Sequence, residues 1–81
     1  MEALKKIMFL VLSAVADAGE EGIPSGHLYA GIMDKVNLND YTTVIGLLVR
    51  GQMITSDGFL LRATPEGMRL GKEITAAFEA A

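Results

Sequence analysis

Hydrophobic residues recur at helical spacing in the first part of the chain. Between residues 3 and 18, a set of apolar side chains that includes Leu4, Ile7 and Val11 falls on one helix face at the i, i+3, i+4, i+7 spacing. Gly19 follows this run, and glycine readily takes the left-handed conformation that ends many helices. The pattern therefore predicts a first helix over residues 3–18.

Two further helices are predicted at residues 26–35 and 39–50 from their apolar spacing. Ser25 and Asn39 are the expected N-caps, because Ser and Asn side-chain oxygens accept hydrogen bonds from the free N–H groups of a first turn. Gly51 is the expected left-handed stop of the third helix. The residues of this helix that we expect to face the core are Leu38, Tyr41, Ile45, Leu48 and Gln52.

The pattern then changes to two short runs that favour β-strands, at residues 53–56 and 59–63. Asp57-Gly58 lies between them and predicts a two-residue type I′ hairpin turn, which needs positive φ at both central residues. Ile23 is expected to add a very short strand beside this hairpin. The chain thus combines helices with a small antiparallel sheet.

A fourth helix is predicted after the hairpin, with Thr64 as its cap and Pro65 at its first position, where a missing N–H costs nothing. Gly67 and Gly71 lack a Cβ, and we expect them to allow close backbone packing against the sheet or the first helix. The stripe that carries them consists of Gly67, Leu70, Gly71, Ile74, Phe78 and Ala81.

Two segments carry a resemblance to a known superfamily. Residues 48–54 (LVRGQMI) resemble the junction at which the recognition helix of winged helix-turn-helix proteins stops at a glycine and enters the first wing strand. Residues 60–67 (LLRATPEG) resemble the exit from the wing into the next helix. The resemblance covers nearly the whole chain and implies one α+β winged-helix domain over residues 1–81, with a short two-residue wing tip. It also implies a small DNA-binding protein that regulates transcription.

The resemblance implies that the third helix enters the major groove of double-stranded DNA. Asn39 and Thr43 are then the candidates to contact base edges, and Arg50 is the candidate to bind a phosphate or a guanine. Lys35 and Arg62 are the nearest cations that would support Arg50. The alternative is a solvated polar face on which Asn39 serves only as a helix cap.

The charge balance limits this interpretation. The formal net charge is −3, and the chain has seven Lys and Arg residues in total, spread over all the predicted helices and the second hairpin strand. A specific binder neutralises roughly 6–10 phosphates. DNA binding therefore almost requires a symmetric dimer, which doubles the number of cations, or a basic partner protein.

A second apolar stripe on the first helix, Phe9, Leu12 and Ala16, offers a surface for such a dimer together with the C-terminal helix. The alternative is that this stripe is buried beneath the fourth helix. Leu47 also lies on a predicted outer face, where it either packs against the wing or belongs to a protein-binding patch. These residues, with the acidic charge, keep open a different function: a winged-helix protein-interaction module that does not bind DNA.

The sequence contains no motif that indicates an enzyme, a metal site or a cofactor site. Cysteine is absent, and the single histidine, His27, cannot form a metal site alone. We see no nucleophile–base set and no phosphate loop, so we expect neither an enzyme, nor a metal or other cofactor, nor a small-molecule substrate.

The N-terminal segment has two interpretations. Lys5-Lys6, the apolar run at residues 7–12 and the small residues at 16–18 are similar to a secretory signal. An amphipathic first helix explains the same residues and supplies the core that the rest of the fold needs, so we prefer it. No apolar run approaches the ~20 residues of a membrane span. We therefore expect a cytoplasmic protein without membrane contact.

Overall fold

The structure, a computed structural model, describes the backbone of residues 2–80 and the side chains of residues 4–77. The chain forms an α+β fold of four helices and a three-stranded antiparallel sheet. The short strand expected at Ile23 is present. No helix within the described residues is long and apolar enough to cross a membrane. In chain order the elements are α1 (Glu2–Asp17), a 3-10 turn (Gly19–Glu21), β1 (Ile23–Pro24), α2 (Ser25–Ile32), α3 (Leu38–Arg50), β2 (Ile54–Asp57), β3 (Leu60–Ala63) and α4 (Pro65–Ala80).

The hairpin turn lies one residue later than predicted. β3 lies between β1 and β2, and Asp57 pairs with Leu60, so Gly58 and Phe59 form the turn. Gly58 has φ 65°, whereas Asp57 does not have positive φ, and the predicted type I′ turn at Asp57-Gly58 is therefore wrong. A turn with glycine first is the type II′ arrangement, which needs positive φ only at that residue. Asp57 can then stay extended and pair with β3.

The core is formed by one face of α1 together with α3 and the inner face of the sheet. Val44 is fully buried on α3, whereas Leu38 is 60% exposed and Gln52 is exposed, so the predicted inward orientation of these two residues is wrong. At 100° per residue, Val44 lies about 40° from the inward-facing Leu48, but Leu38 lies about 80° away. The most deeply buried large side chains are Leu12, Ile54, Leu61, Val11, Val15 and Val44.

α1 and α3 end at left-handed residues, as expected, but not always at the residues that the sequence predicted. α1 ends before Gly19, which has φ 69° as predicted. At the end of α3, however, Gly51 has φ −79° and Gln52 has φ 61°, so the prediction of Gly51 as the left-handed residue is wrong. The Met53 N–H donates to the Leu48 carbonyl at 3.0 Å, which is the hydrogen bond of a Schellman motif centred on Gln52.

Of the three predicted N-cap residues, only Thr64 caps its helix. Asn37, not Asn39, caps α3: its side-chain oxygen accepts a hydrogen bond from the Asp40 N–H at 2.8 Å. Ser25 does not cap α2, because the helix already begins at Ser25 and Pro24 holds the cap position without a side-chain hydrogen bond. Thr64 does cap α4, since its hydroxyl accepts a hydrogen bond from the Gly67 N–H at 3.0 Å.

Two glycines of α4 allow the close packing predicted for them. A Cβ on Gly67 would overlap the Met53 carbonyl, and a Cβ on Gly71 would lie 2.5 Å from the Ala16 Cβ. α4 therefore contacts both the segment before β2 and the surface of α1. Of the predicted α4 stripe, the Phe78 side chain and Ala81 lie outside the described residues.

The close approach of α4 decides between the two interpretations of the second stripe on α1. Leu12 is 2% exposed and Ala16 is 5% exposed, and both lie against Gly71. The prediction that Leu12 and Ala16 form a dimer surface is therefore wrong, because α4 of the same chain covers them. Phe9 is half-buried, and its ring lies 5.9 Å from the Lys5 Nζ.

Candidate nucleic-acid interface

The N-terminus of α2 is held against α3 by a buried tyrosine. The Tyr41 hydroxyl donates a hydrogen bond to the Ser25 carbonyl at 3.0 Å and also lies 2.9 Å from the Ser25 Oγ. The Tyr29 ring packs against Tyr41 with 4.9 Å between the ring centroids. Burial raises the pKa of Tyr41, and the hydrogen bond with Ser25 opposes this shift. These contacts fix how α3 is presented relative to α2.

The outer face of α3 brings together four of the residues predicted for binding. Asn39, Thr43, Leu47 and Arg50 are all exposed. On a helix with 3.6 residues per turn, these positions fall within about 80° of one another. The buried residues of α3 lie on the opposite side, so the core holds the helix while this face remains accessible.

The cap at Asn37 determines which groups on this face remain available. The Asp40 carboxylate accepts a hydrogen bond from the Asn37 side-chain amide at 3.3 Å, and Asp40 is only half-exposed. Asn39 is exposed and does not cap the helix, so its side-chain amide offers both a donor and an acceptor. The Thr43 hydroxyl donates to the Asn39 carbonyl at 3.0 Å, which leaves the Thr43 oxygen as an acceptor.

The three predicted cations lie on different parts of the fold. Arg50 lies in the last turn of α3, and Lys35 is exposed in the segment between α2 and α3. The Arg62 Nε, by contrast, donates a hydrogen bond at 3.1 Å to the carbonyl of Glu20 in the 3-10 turn. Arg62 therefore lies beside the 3-10 turn that follows α1, and its Nε is already used in this hydrogen bond.

Arg69 on α4 is already paired with acids of its own helix. It forms ion pairs with Glu66 and Glu73, and the hydrogen bond and charge of Glu66 are the main reasons that its pKa is raised. The pairs are exposed to solvent and add little to stability. They nevertheless reduce the positive potential that α4 can offer to a phosphate backbone.

The residue that the sequence analysis missed is Phe59. It is the second residue of the hairpin turn and is 84% exposed, more than any other large hydrophobic side chain whose exposure is described. The prediction made it the first residue of the second hairpin strand, 59–63, because it placed the turn at Asp57-Gly58. The alternative two-residue turn, with glycine first, was the signal that would have placed Phe59 at the tip.

Comparisons with known proteins give no independent assignment. No protein-family model, curated protein or solved structure matches this chain significantly. Within the described residues, no group of three or more His, Asp or Glu side chains is placed to hold a metal ion. The functional argument therefore depends on the geometry of the α3 face and the hairpin.

Proposed function

We propose that this chain is a small winged-helix protein that binds double-stranded DNA and regulates transcription. The order of its elements supports this proposal: two helices joined by a short segment are followed by a two-stranded hairpin and a further helix. The first short strand completes the sheet in the order β1-β3-β2. In this arrangement α3 would be the recognition helix and the β2–β3 hairpin would be the wing.

The accessible polar face of α3 is the observation that carries the proposal. A helix with its side chains is about 10–12 Å wide, which matches the roughly 12 Å width of the major groove. Asn39 presents an amide of the kind that pairs with adenine, Thr43 presents an oxygen, and Arg50 presents a guanidinium that pairs with guanine or phosphate. The buried side of α3 is fixed by Tyr41, so this face is presented rigidly.

The charge distribution predicts weak binding by a single copy. Arg50 is the cation within α3, while Asp40 contributes a negative charge near the start of the same helix. Each phosphate contact releases counterions, and a copy with few contacts has low affinity at physiological salt. Binding is therefore expected chiefly at low salt, or by an assembly with more than one copy.

A second function is favoured by a specific observation. Phe59 at the hairpin tip and Leu47 on the α3 face, which is 39% exposed, are apolar groups at the positions that would approach DNA. Exposed aromatic residues are enriched where proteins bind other proteins. The alternative is therefore a winged-helix protein-interaction module that does not bind DNA.

Fluorescence anisotropy with a random duplex, from about 50 mM salt upwards, tests the proposal. We expect measurable binding by the wild type that weakens as salt increases. Arg50→Ala should weaken this binding and reduce the log–log salt slope by about one unit, as one lost phosphate contact predicts.

The matched control is Lys72→Ala, which removes an exposed cation of α4 beside the groove between α1 and α4. This variant should retain wild-type binding. Absence of wild-type binding at about 50 mM salt, where electrostatic attraction is strong, would overturn the DNA-binding proposal and leave the interaction module.

A further inference from the structure

Ser25 connects α2, α3 and the hairpin turn at a single residue. It is the first residue of α2, and it continues the register in which Ile23 and Pro24 of β1 pair with β3. Its N–H donates a hydrogen bond to the Phe59 carbonyl in the hairpin turn at 2.6 Å. Its carbonyl accepts the hydrogen bond of the Tyr41 hydroxyl from α3 at 3.0 Å. α3 and the hairpin turn are therefore bonded to the same residue of α2.

The bond to the Phe59 carbonyl uses an N–H group that α2 itself cannot satisfy. The first N–H groups of an α-helix have no acceptor within the helix. A side-chain cap does not supply one here, because Pro24 holds the cap position without a side-chain hydrogen bond. The Phe59 carbonyl takes the place of that cap, so the hairpin turn completes the start of α2.

The bond from Tyr41 acts on the half of α3 that carries Asn39 and Thr43. Tyr41 is buried, and its hydroxyl lies 2.9 Å from the Ser25 Oγ as well as being bonded to the Ser25 carbonyl. Asn39 precedes Tyr41 and Thr43 follows it, both within about one turn, so a displacement of Tyr41 moves both side chains. Arg50 lies in the last turn of α3 and is affected less.

We propose that Ser25 and Tyr41 are positioning residues, which hold the hairpin turn and the outer face of α3 in one arrangement. A displacement of α3 at Tyr41 would pass through Ser25 to the Phe59 carbonyl. Double-stranded DNA that contacts both elements would then meet them already arranged, which lowers the conformational cost of binding. The effect on DNA affinity rests on the proposed function, whereas the coupling itself is a property of the free protein.

Two substitutions remove the same oxygen atom from neighbouring rings. Tyr41→Phe removes the hydroxyl that is bonded to Ser25. Tyr29→Phe removes the hydroxyl of the ring that packs against Tyr41, and within the described residues that hydroxyl makes no hydrogen bond with Ser25. Both variants retain both rings and their packing. A difference between them therefore measures the loss of the bond to Ser25.

Amide hydrogen exchange measured by NMR tests the coupling in the free protein. The Val15 amide, in the buried face of α1, reports global unfolding, so the measured quantity is the exchange rate of Ser25 relative to that of Val15. In Tyr41→Phe we expect this ratio to rise about three- to tenfold, because the loss of one hydrogen bond lets the link to the Phe59 carbonyl open more often. Tyr29→Phe should retain the wild-type ratio. An unchanged ratio in Tyr41→Phe would overturn the proposal, since the hydroxyl would then contribute only to global stability.

The Leu60 amide provides a second measurement on the hairpin side. It belongs to the same peptide unit as the Phe59 carbonyl, so its chemical shift responds to the hydrogen bond that this carbonyl accepts from Ser25. We expect the Leu60 signal to move in Tyr41→Phe and to stay in place in Tyr29→Phe. A Leu60 signal that is the same in both variants would contradict the coupling between α3 and the hairpin turn.

Fluorescence anisotropy with a random duplex measures the consequence for DNA binding. Tyr41→Phe should weaken binding about twofold or more without changing the log–log salt slope, because α3 is held less well but no phosphate contact is removed. Arg50→Ala is the contrasting variant, since it should reduce the slope. Circular dichroism checks that both variants are folded.

Wild-type affinity in Tyr41→Phe would overturn the positioning role. If the wild type itself binds no DNA, the proposed function fails, and the exchange ratio of Ser25 still decides whether α3 and the hairpin turn are coupled.

Discussion

Gly71 of α4 packs directly against Ala16 of α1: a Cβ at position 71 would lie 2.5 Å from the Ala16 Cβ and 3.2 Å from the Leu12 carbonyl oxygen. Neither neighbour is the movable end of a long side chain. The Ala16 methyl and the Leu12 backbone are fixed by α1. The separation of the two helices therefore depends on the missing Cβ at position 71.

This contact predicts that Gly71→Ala destabilises the protein by about 1–3 kcal/mol, the usual cost of overpacking, in spite of alanine's better helix propensity. The matched control is Gly46→Ala within α3, where an added Cβ meets no atom within 4 Å. That variant should gain about 0.5–1 kcal/mol. Urea unfolding of both variants measures the difference, and a stabilised Gly71→Ala would mean that the helices are further apart.

The end of α3 predicts a stabilising substitution at Gln52. Gln52 has φ 61°, and a side chain in this conformation costs roughly 1–2 kcal/mol that glycine avoids. Gln52→Gly should therefore raise the free energy of unfolding by about 1 kcal/mol. Gly51→Ala is the comparison and should not stabilise the protein, because Gly51 has φ −79° and an added Cβ would lie 3.3 Å from the Leu47 carbonyl oxygen. A loss of stability in Gln52→Gly would refute the Schellman assignment.

The hairpin predicts opposite results at two neighbouring residues. Gly58→Val should lose roughly 1–3 kcal/mol, because a β-branched residue is strained at positive φ. Asp57→Val should be tolerated, since Asp57 is extended and paired with Leu60. Thermal melts of the two variants distinguish the type II′ turn at Gly58-Phe59 from a type I′ turn, which would be damaged at both positions.

Tyr41 predicts a pH dependence at alkaline pH. Burial raises its pKa above the ordinary value of 10.0, so the folded protein holds the neutral phenol more strongly than the unfolded chain does. The neutral phenol's contribution to the free energy of unfolding is present in full below pH 10. It is lost as the pH rises through the higher pKa of the folded state. Tyr41→Phe should therefore lose less stability than the wild type between pH 9.5 and 11.5. Parallel losses in urea titrations of the two proteins would contradict this account.

Asp40 on α3 is expected to weaken DNA binding through its negative charge. Asp40→Asn removes a negative charge close to the proposed phosphate path and should tighten duplex binding. The substitution also removes an acid from the first turn, so a loss of stability of about 0.3–1 kcal/mol is expected. Anisotropy titrations at low salt measure the affinity. Unchanged binding would place Asp40 away from the phosphates.

The sequence predicted the elements more reliably than their ends. Helical spacing located all four helices, because buried positions repeat every three or four residues over several turns. The caps at Asn37 and Gln52 were missed because neighbouring residues, Asn39 and Gly51, have equal or better intrinsic preferences. Which of two nearby residues takes the cap depends on the packing of the whole helix, and local preference does not contain that information.

The sequence predicted the exposed residues of α3 correctly, but it did not predict the surroundings of Arg62 or the exposure of Phe59. The outward positions of Asn39, Thr43 and Arg50 follow directly from helix periodicity. The placement of Arg62 beside Glu20 depends on how the sheet packs against the end of α1, a contact between residues 42 apart in the chain. The exposure of Phe59 depended on a one-residue shift of the turn, which hydrophobic pattern alone does not resolve.

The hydrogen bond between Ser13 and Thr75, 2.6 Å long, joins residues 62 positions apart. α1 is synthesised first and α4 later, so during translation the groove between them stays open until α4 has left the ribosome. Until then, α4 cannot cover Leu12 and Ala16, and loop closure over this distance is slow relative to local helix formation. The same side chains that complete the core are thus the ones that a chaperone, or a second nascent chain, would encounter first.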